Sequence, residues 1–476
     1  MNTPLFPAWR SQLAALGRKA RCHQSAAEIE NEFSRFLPKN LLENGHGCRN
    51  RIYTRKNTFW SFLWQVLQPH TSCRAVVRKM QAECETQHQQ IDENTSAYCQ
   101  ARSRIPLSLF NQALQKSSEI ADRMAVEGIP GWIRPVKVVD ATSFKMPDTI
   151  KNRNKYHYPT GQKKGCGFPV MRALAVFSLL GGAIHQILTA PCYTSELIMF
   201  KSLWSSFQRG DICLGDRLYG CFAILASLPL QGVDVVARLH QGRKMDLRKA
   251  HRLGRNDWIT TFSKSYVVPP YMTKREWKRL PENITVRVIR SHLNIKGFRT
   301  QDIWIVTTLL DAVLYPTAAI VELYLRRWQM ELSFRDIKTT LRMEALRCLS
   351  PPMIEKELRM TLIAYNCLRA LMAQAATTHL IARQRISFKG TLDTIHSFHP
   401  AMLRAKSKRT LNRLHNRLLE ILAEDTLPLR PGRSEPRAVK TRPKPYALLT
   451  KPRHQFKELP HKGKPKPCKR PQIILT

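Results

Sequence analysis

The stretch "YLRRWQMELSFRDIK", Tyr324–Lys338, contains no Gly and no Pro and carries apolar residues at helical spacing. Its charges nevertheless do not gather on one side. At about 100° per residue, Tyr324, Arg327, Glu331 and Lys338 fall in one stripe, with Arg335 close by. Glu322, Arg326, Gln329, Ser333, Asp336 and Thr340 form a second stripe roughly opposite. Two apolar flanks separate them: Val321, Leu325, Trp328 and Leu332 on one side, Leu323, Met330, Phe334, Ile337 and Leu341 on the other. A helix apolar on both flanks is expected to pack on two sides. One polar stripe then faces water and the other lies in a cleft lined by Tyr, Arg, Glu and Lys. The alternative is two solvated strips held by Arg327–Glu331 and Glu331–Arg335 pairs at i,i+4, each worth only about 0.2–0.5 kcal/mol.

A cleft holding Arg, Lys and a lone Glu suits phosphate and a metal. Arg forks onto phosphate oxygens and Lys adds a point charge, while a carboxylate offers the hard oxygen that Mg²⁺ prefers. Two-metal phosphoryl transfer needs further carboxylates. Asp140 follows "VKVV" and Asp216 follows "ICLG", both read as acidic residues at strand ends. Each alone is ordinary; with Glu331 they make a D…D…E set.

The bulk composition points to the same partner. Of the 476 residues, 77 are Lys or Arg and 35 Asp or Glu, a net charge of +42. Such a charge repels itself unless a polyanion screens it, and nucleic acid is the first candidate. The 12 cysteines include no C-x-x-C pair, which argues against a zinc ribbon and a disulfide framework. With no secretory signal in "MNTPLFPAWRSQLAALGRKA", a reducing cytosol is expected. The longest apolar run, Ala173–Ile184, contains Gly181-Gly182 and is too short for a bilayer; it reads as two strands meeting at a turn. No Gly-rich phosphate loop argues for ATP.

Along the chain, residues 1–130 read as a helical DNA-binding region. In "NTFWSFLWQVL", Trp60, Leu63, Trp64 and Leu67 share a face. After a break at "QPHTS", with Thr71 or Ser72 as N-cap, "CRAVVRKMQAECE" turns Val76, Val77 and Met80 inward and Arg74, Arg78 and Lys79 outward. A further helix at "NTSAYCQARSRI" carries Arg102 and Arg104. Both a helix-turn-helix reader and a plain bundle with a basic face fit this pattern. Residues 131–239 alternate strands and helices, as in an α/β domain with a mixed sheet. Residues 240–302 read as a β-rich insertion, with "SYVVPPYM" and "NITVRVIRSHL" as its β-like runs. "DIWIVTTLL" then resumes the sheet within 303–350, and a long helix follows from Pro316. Residues 351–427 are helical, and the basic, Pro-rich tail 428–476 is expected to be disordered.

Tyr324-x2-Arg327-x3-Glu331-x6-Lys338 resembles the Y-(2)-R-(3)-E-(6)-K signature of bacterial insertion-sequence DDE transposases, of the insertion-sequence family four type. "DATSFKMPDT" resembles that family's first-Asp block and "GDRLYG" its second. "WIVTTLLD", the N-terminal "YTRKNTFWSFLWQVL…SCRAVVRKMQ" and the tail "EPRAVKTRPKPY" extend the likeness over nearly the whole chain. The resemblance implies an RNase H-like mixed-sheet catalytic domain with a β-rich insertion between the second Asp and the Glu. It implies that Asp140, Asp216 and Glu331 are catalytic and hold two Mg²⁺ or Mn²⁺ ions. Tyr324, Arg327 and Lys338 would grip a phosphate near the transposon end. Trp304 matches a Trp that stacks on a flipped base, against a plain role as a strand-core aromatic. Arg217 and Tyr219 would touch DNA, or only pack at the strand end. The implied activity is binding of terminal inverted repeats with metal-dependent cleavage and strand transfer into target DNA, by paired protomers on two ends. Two other classes remain open: an inactive or domesticated DNA-binding protein, and a metal-dependent nuclease without strand transfer.

Overall fold

The structure is a computed structural model describing residues 33–37, 39–42, 52–68, 71–85, 91–125, 134–159, 167–240, 242–243, 247–292, 302–405, 407–428 and 455. The basic tail expected from 428 onward lies outside the described residues except for Pro428 and Gln455. The N-terminal part comprises α1 (Arg55–Leu67), α2 (Cys73–Glu85), α3 (Ser96–Arg104) and α4 (Leu107–Met124). The Thr54 hydroxyl accepts from the Asn57 amide to start α1, and the Ser72 hydroxyl accepts from Ala75 to start α2. Val76, Val77 and Met80 are buried while Arg74 and Arg78 are exposed, as their spacing predicts. Arg102 departs from that pattern: it is buried at 7% exposure instead of facing solvent.

The strands are β1 (Val136–Lys145), β2 (Val170–Ser178), β3 (Ile184–Pro191), β4 (Ile212–Gly215), β5 (Asp234–Arg238), β6 (His251–Gly254), β7 (Asp257–Ser263), β8 (Asn283–His292) and β9 (Asp302–Thr307). They form one nine-stranded sheet in the order β3-β2-β1-β4-β5-β9-β8-β7-β6. β1, β4 and β5 are parallel; the other pairings are antiparallel. The first five strands therefore have the mixed RNase H-like arrangement: an antiparallel β1-β2-β3 meander flanked by two parallel strands. β2 and β3 meet at the Gly181-Gly182 turn, where Gly182 has φ +69°, open to glycine at little cost.

The other helices of the catalytic part are α5 (Ile150–Tyr156), α6 (Glu196–Ser202), α7 (Phe222–Ser227) and α8 (Lys274–Arg279). Ser195 stands at the N-cap position of α6, but its side chain makes no cap hydrogen bond. "SYVVPPYM" is not a strand: residues 264–272 form a loop, since Pro269 and Pro270 offer no N–H to a ladder. Beyond β9 come α9 (Thr317–Arg326), α10 (Gln329–Arg335), a π-helical turn (Asp336–Thr340), and α11 (Pro351–Thr378), α12 (Phe388–Arg404) and α13 (Lys408–Glu424).

Side chains alternate across β1: Val138 joins the core on the face covered by α1, α4 and α11, and Val139 the core beneath α6 and α7. α11 is buried along most of its length, including Asn366. The Asn366 amide donates to Leu114 O at 3.2 Å, Ser117 Oγ at 3.1 Å and Ile184 O at 2.9 Å, while its oxygen accepts from Ile184 N at 2.8 Å. One buried side chain thus ties α4, α11 and β3 together with its polar groups satisfied.

The added strands are joined to α9 through a buried ion pair. Arg287 of β8 is 0% exposed and donates to both carboxylate oxygens of Asp257 in β7, at 2.9 and 2.5 Å. Asp257 also accepts from Thr317 Oγ1, at the first residue of α9, at 2.6 Å, and Arg287 donates to Tyr315 O at 2.7 Å. Replacing Arg287 by Ala strands the Asp257 charge and is expected to cost about 3–5 kcal/mol, read as a lower urea midpoint. Replacing both partners by apolar residues, Arg287→Met with Asp257→Leu, is expected to recover most of that loss.

Candidate active site

β4 is short and β1 is long. Their parallel pairing matches Val136 with Ile212, Lys137 with Cys213 and Val138 with Leu214. Continued by two residues, that register brings Asp140 level with Asp216, which follows directly on β4. Asp140 therefore lies inside β1 and not at a strand end, because β1 runs on to Lys145 by pairing with β2. The Asp216 carboxylate accepts from the Leu218 amide at 2.7 Å, which fixes it at the turn after β4.

Burial raises the Asp140 pKa to about 6, against Arg327 and the Ala141 amide, and with help from the charges of Glu196 and Asp216. Glu196 was not singled out by the sequence. It sits in the first turn of α6 and accepts from the Tyr219 hydroxyl at 2.5 Å. Its own pKa is raised by burial, against that hydrogen bond, and by Asp216. The only signal in the sequence was an acidic residue after Ser195, which is common at any helix start. Tyr219 itself is 0% exposed and packs edge-on against Phe200 at 4.9 Å. Of its two expected roles, DNA contact or packing at the strand end, the burial favours packing: it fills the core below α6 and holds Glu196. Arg217 is exposed.

The signature helix is not one continuous rod. α9 closes with Arg327 N donating to Tyr324 O at 3.1 Å and Trp328 N to Leu325 O at 3.2 Å, a tightened i→i−3 turn. α10 restarts at Gln329, and the chain then widens into the π-helical turn that carries Lys338. π-helical turns recur at functional sites. The backbone of Glu331 lies in α10, on the segment held to the sheet by Phe334, whose ring meets Phe177 of β2 edge-on at 5.0 Å.

The expected pair of apolar flanks is only half present. Leu323, Phe334, Ile337 and Leu341 are buried, but Trp328 is 43% and Leu332 45% exposed. The second polar stripe does not simply face water either: Arg369 of α11 donates to Ser333 Oγ at 3.2 Å and Asp336 Oδ2 at 3.3 Å. Tyr324 is buried, with Arg327 over its ring at 5.9 Å and with Arg238 and Asp216 in electrostatic range. Lys338 stands over the Phe144 ring of β1 at 5.4 Å. Burial lowers its pKa, opposed by Glu344 and aided by Lys145. Tyr324, Arg327 and Lys338 thus border the half of β1 from Asp140 onward. Trp304, on β9, is half-buried and stacks on Trp258 of β7 with ring centroids 6.0 Å apart, Arg290 lying 5.6 Å from its ring.

Two carboxylates level with each other on an RNase H-like sheet, bordered by Tyr, Arg and Lys, are the kind of donor set that phosphoryl transfer uses. Residues 131–367 match the family described as "Transposase DDE domain". The transposase InsG of insertion sequence element IS4 from Escherichia coli (strain K12) is 24% identical over 361 residues, covering 75% of this chain and 78% of the relative. A putative transposase of the same organism, InsZ, is 26% identical over 177 residues, covering 36% and 58% respectively. Among solved structures, a piggyBac transposase synaptic complex with hairpin DNA aligns over 87% of this chain and 88% of that one, at 11% identity and a TM-score of 0.37. The chain belongs to the insertion-sequence DDE transposases: it is a DNA transposase, an enzyme acting on DNA. The family generally works with divalent metal ions. No helix among the described residues is long and apolar enough to cross a membrane.

Glu196→Gln removes one of the charges that raise the Asp140 pKa. The Asp140 carboxyl, followed by ¹³C NMR in the metal-free protein and assigned by its loss in Asp140→Asn, is expected to titrate below about pH 6 in that variant.

Proposed function

We propose that this transposase recognises the terminal inverted repeats of its element and catalyses cut-and-paste transposition, with Asp140, Asp216 and Glu331 as the catalytic carboxylates. The observation that carries the reading is the shared level of Asp140 and Asp216 together with the raised pKa of Asp140. A desolvated carboxylate with a second carboxylate beside it is relieved by a divalent cation, and carboxylate oxygen suits Mg²⁺ or Mn²⁺. Asp140 and Asp216 would hold such ions, with Glu331 of α10 as the proposed third ligand. When bound, such a pair activates the attacking oxygen and stabilises the leaving 3′-oxygen.

The protein's own groups do the rest. Arg327, between Tyr324 and Asp140, and Lys338, half-desolvated over Phe144, provide the cationic positions for the phosphate at the cleaved end. Trp304, stacked on Trp258, offers an aromatic face for an unstacked base, and exposed Arg217 a contact to the backbone. The +42 charge supplies the sequence-independent attraction to DNA. Water first cleaves at the element's end; the freed 3′-hydroxyl then attacks target DNA, or first the opposite strand, as in relatives that form a hairpin. Two protomers on two ends are the proposed working assembly, and the cytoplasm, on the nucleoid, is the proposed location.

Asp140→Asn, Asp216→Asn and Glu331→Gln are each expected to abolish Mg²⁺-dependent nicking of end DNA while leaving gel-shift binding of the ends intact. Nicking retained in any one of them removes that residue from the catalytic set. A strand-transfer assay with a precleaved 3′-hydroxyl end separates the alternatives: a nuclease cleaves without joining, and an inactive DNA-binding descendant does neither. Lys338→Ala is expected to weaken end binding about tenfold, about 1.5 kcal/mol for a charged hydrogen bond.

The raised Asp140 pKa gives this site a pH signature. Its protonated form is favoured by the fold; that preference is complete below about 3.8 and is lost as pH rises through about 6. At neutral pH the ionised carboxyl therefore opposes folding by about 3 kcal/mol in the metal-free protein. Mg²⁺ is expected to raise the thermal midpoint more at pH 7.5 than at pH 5.5, and Asp140→Asn to stabilise the metal-free protein at pH 7.5, an advantage that shrinks as pH falls towards about 3.8.

A further inference from the structure

Arg102 is buried, and yet among the described residues it pairs with no carboxylate. Its Nη1 donates to Gln65 Oε1 at 3.2 Å, and its Nη2 reaches Cys73 Sγ at 3.1 Å and Cys99 Sγ at 3.7 Å. Its guanidinium plane lies against the rings of Phe62 and Tyr98, each at 4.9 Å. The Tyr98 hydroxyl donates to Gln65 Oε1, so the amide oxygen is already shared. A guanidinium taken out of water among two aromatic rings, an amide and two sulfurs needs a counter-charge. The sulfurs are the groups in contact that can supply it.

Cys73 and Cys99 share the one guanidinium nitrogen, which brings their sulfurs close to each other. The neighbouring Cys73 thiol and Arg102 lower the Cys99 pKa against burial, while Cys99 and burial raise that of Cys73. Cys73 opens α2 and Cys99 lies within α3, helices that pack on each other. Both cysteines and Arg102 line a cavity of about 900 Å³ between the N-terminal helices, the segment after Lys338 and α12. A small oxidant therefore has room to reach them. By contrast, Cys84, Cys213 and Cys367 are buried among apolar residues.

We propose that Cys73 and Cys99 are a thiol–thiolate pair that a peroxide converts to a disulfide, a covalent modification site in the N-terminal helices. The Cys99 thiolate attacks one peroxide oxygen and the O–O bond breaks; Cys99 becomes a sulfenic acid, and the leaving hydroxide takes a proton to form water. The Cys73 sulfur then attacks the Cys99 sulfur, the S–O bond breaks, and the expelled hydroxide takes the Cys73 proton as a second water. The two thiols together lose two electrons, and the peroxide gains them. A dithiol reductant reverses the bond by thiol–disulfide exchange. Cytosolic disulfides of this kind are transient and redox-sensing. Closure joins α2 to α3 and removes the thiolate that neutralises Arg102.

The test uses the full chain, reduced and then treated with hydrogen peroxide, alkylated, and digested for mass spectrometry. A linked Cys73–Cys99 peptide, lighter by two hydrogens and lost on dithiothreitol treatment, is expected before Cys84, Cys213 or Cys367 is modified. Sulfinic acid at Cys99 without the linked peptide, or oxidation at equal rates over all cysteines, overturns the proposal. Iodoacetamide labelling at pH 6 provides a second reading that needs no oxidation. Cys99 is expected to label at least tenfold faster than Cys221, the rate falling to that of Cys221 in Arg102→Gln and persisting in Arg102→Lys. Equal labelling of Cys99 and Cys221 in the unsubstituted protein rejects the thiolate.

Discussion

The site depends on a register held at the opposite end of the strands. β1 and β4 share three paired positions, too few to specify alignment by packing alone. Two cations fix it. Arg134, just before β1, donates to Gly210 O at 2.7 Å and Asp211 O at 3.1 Å ahead of β4, and pairs with Asp234, the first residue of β5, at 2.6 Å. Lys137 pairs with Asp211 at 2.6 Å. Because side chains alternate along a strand, a slip of one residue would turn Asp140 to the other face. The polar clamp at the start of three parallel strands therefore sets whether two carboxylates meet at their far end.

The signature helix reaches those carboxylates by departing from regular winding. A straight helix from Thr317 would carry Tyr324, Arg327, Glu331 and Lys338 in one drifting stripe. The tightened turn at Arg327 and the widened one at Asp336–Thr340 change that stripe in opposite senses. Arg369 secures the back of the widened turn through Ser333 and Asp336, and the Arg287–Asp257–Thr317 group secures the start of α9. Irregular backbone at this place persists because neighbouring elements overdetermine it.

Much of the architecture was legible because it rests on local chemistry. The β2–β3 hairpin follows from Gly181-Gly182, and the inward face of α2 from the spacing of Val76, Val77 and Met80. What was not legible depends on partners distant in sequence. Trp328 and Leu332 look like a buried flank on a helical wheel, yet they stay 43% and 45% exposed. Between DNA contact and packing the sequence could not choose for Tyr219; the packing of α6 over β4 buries it. Glu196 lies 20 residues before Asp216 and 56 after Asp140, so only the sheet's folding makes it their neighbour. Arg102 reads as one more exposed cation until α1, α2 and α3 are seen to close around it.

Charge is the property that sequence totals describe least well. A chain of +42 would, on average, depress carboxylate pKa values, but Asp140 moves the other way because burial, with smaller help from Glu196 and Asp216, outweighs the nearby Arg327 and the Ala141 amide. Screening confines the exposed positive charge to about 8–10 Å, whereas groups in the interior are screened far less. The global charge therefore acts on DNA at a distance, while the local carboxylates favour a cation within a few ångströms. A nucleic-acid enzyme needs both signs, and here the sheet separates them: the acidic pair lies level across the middle of β1 and the turn after β4, and the cations are placed on the helix that borders it.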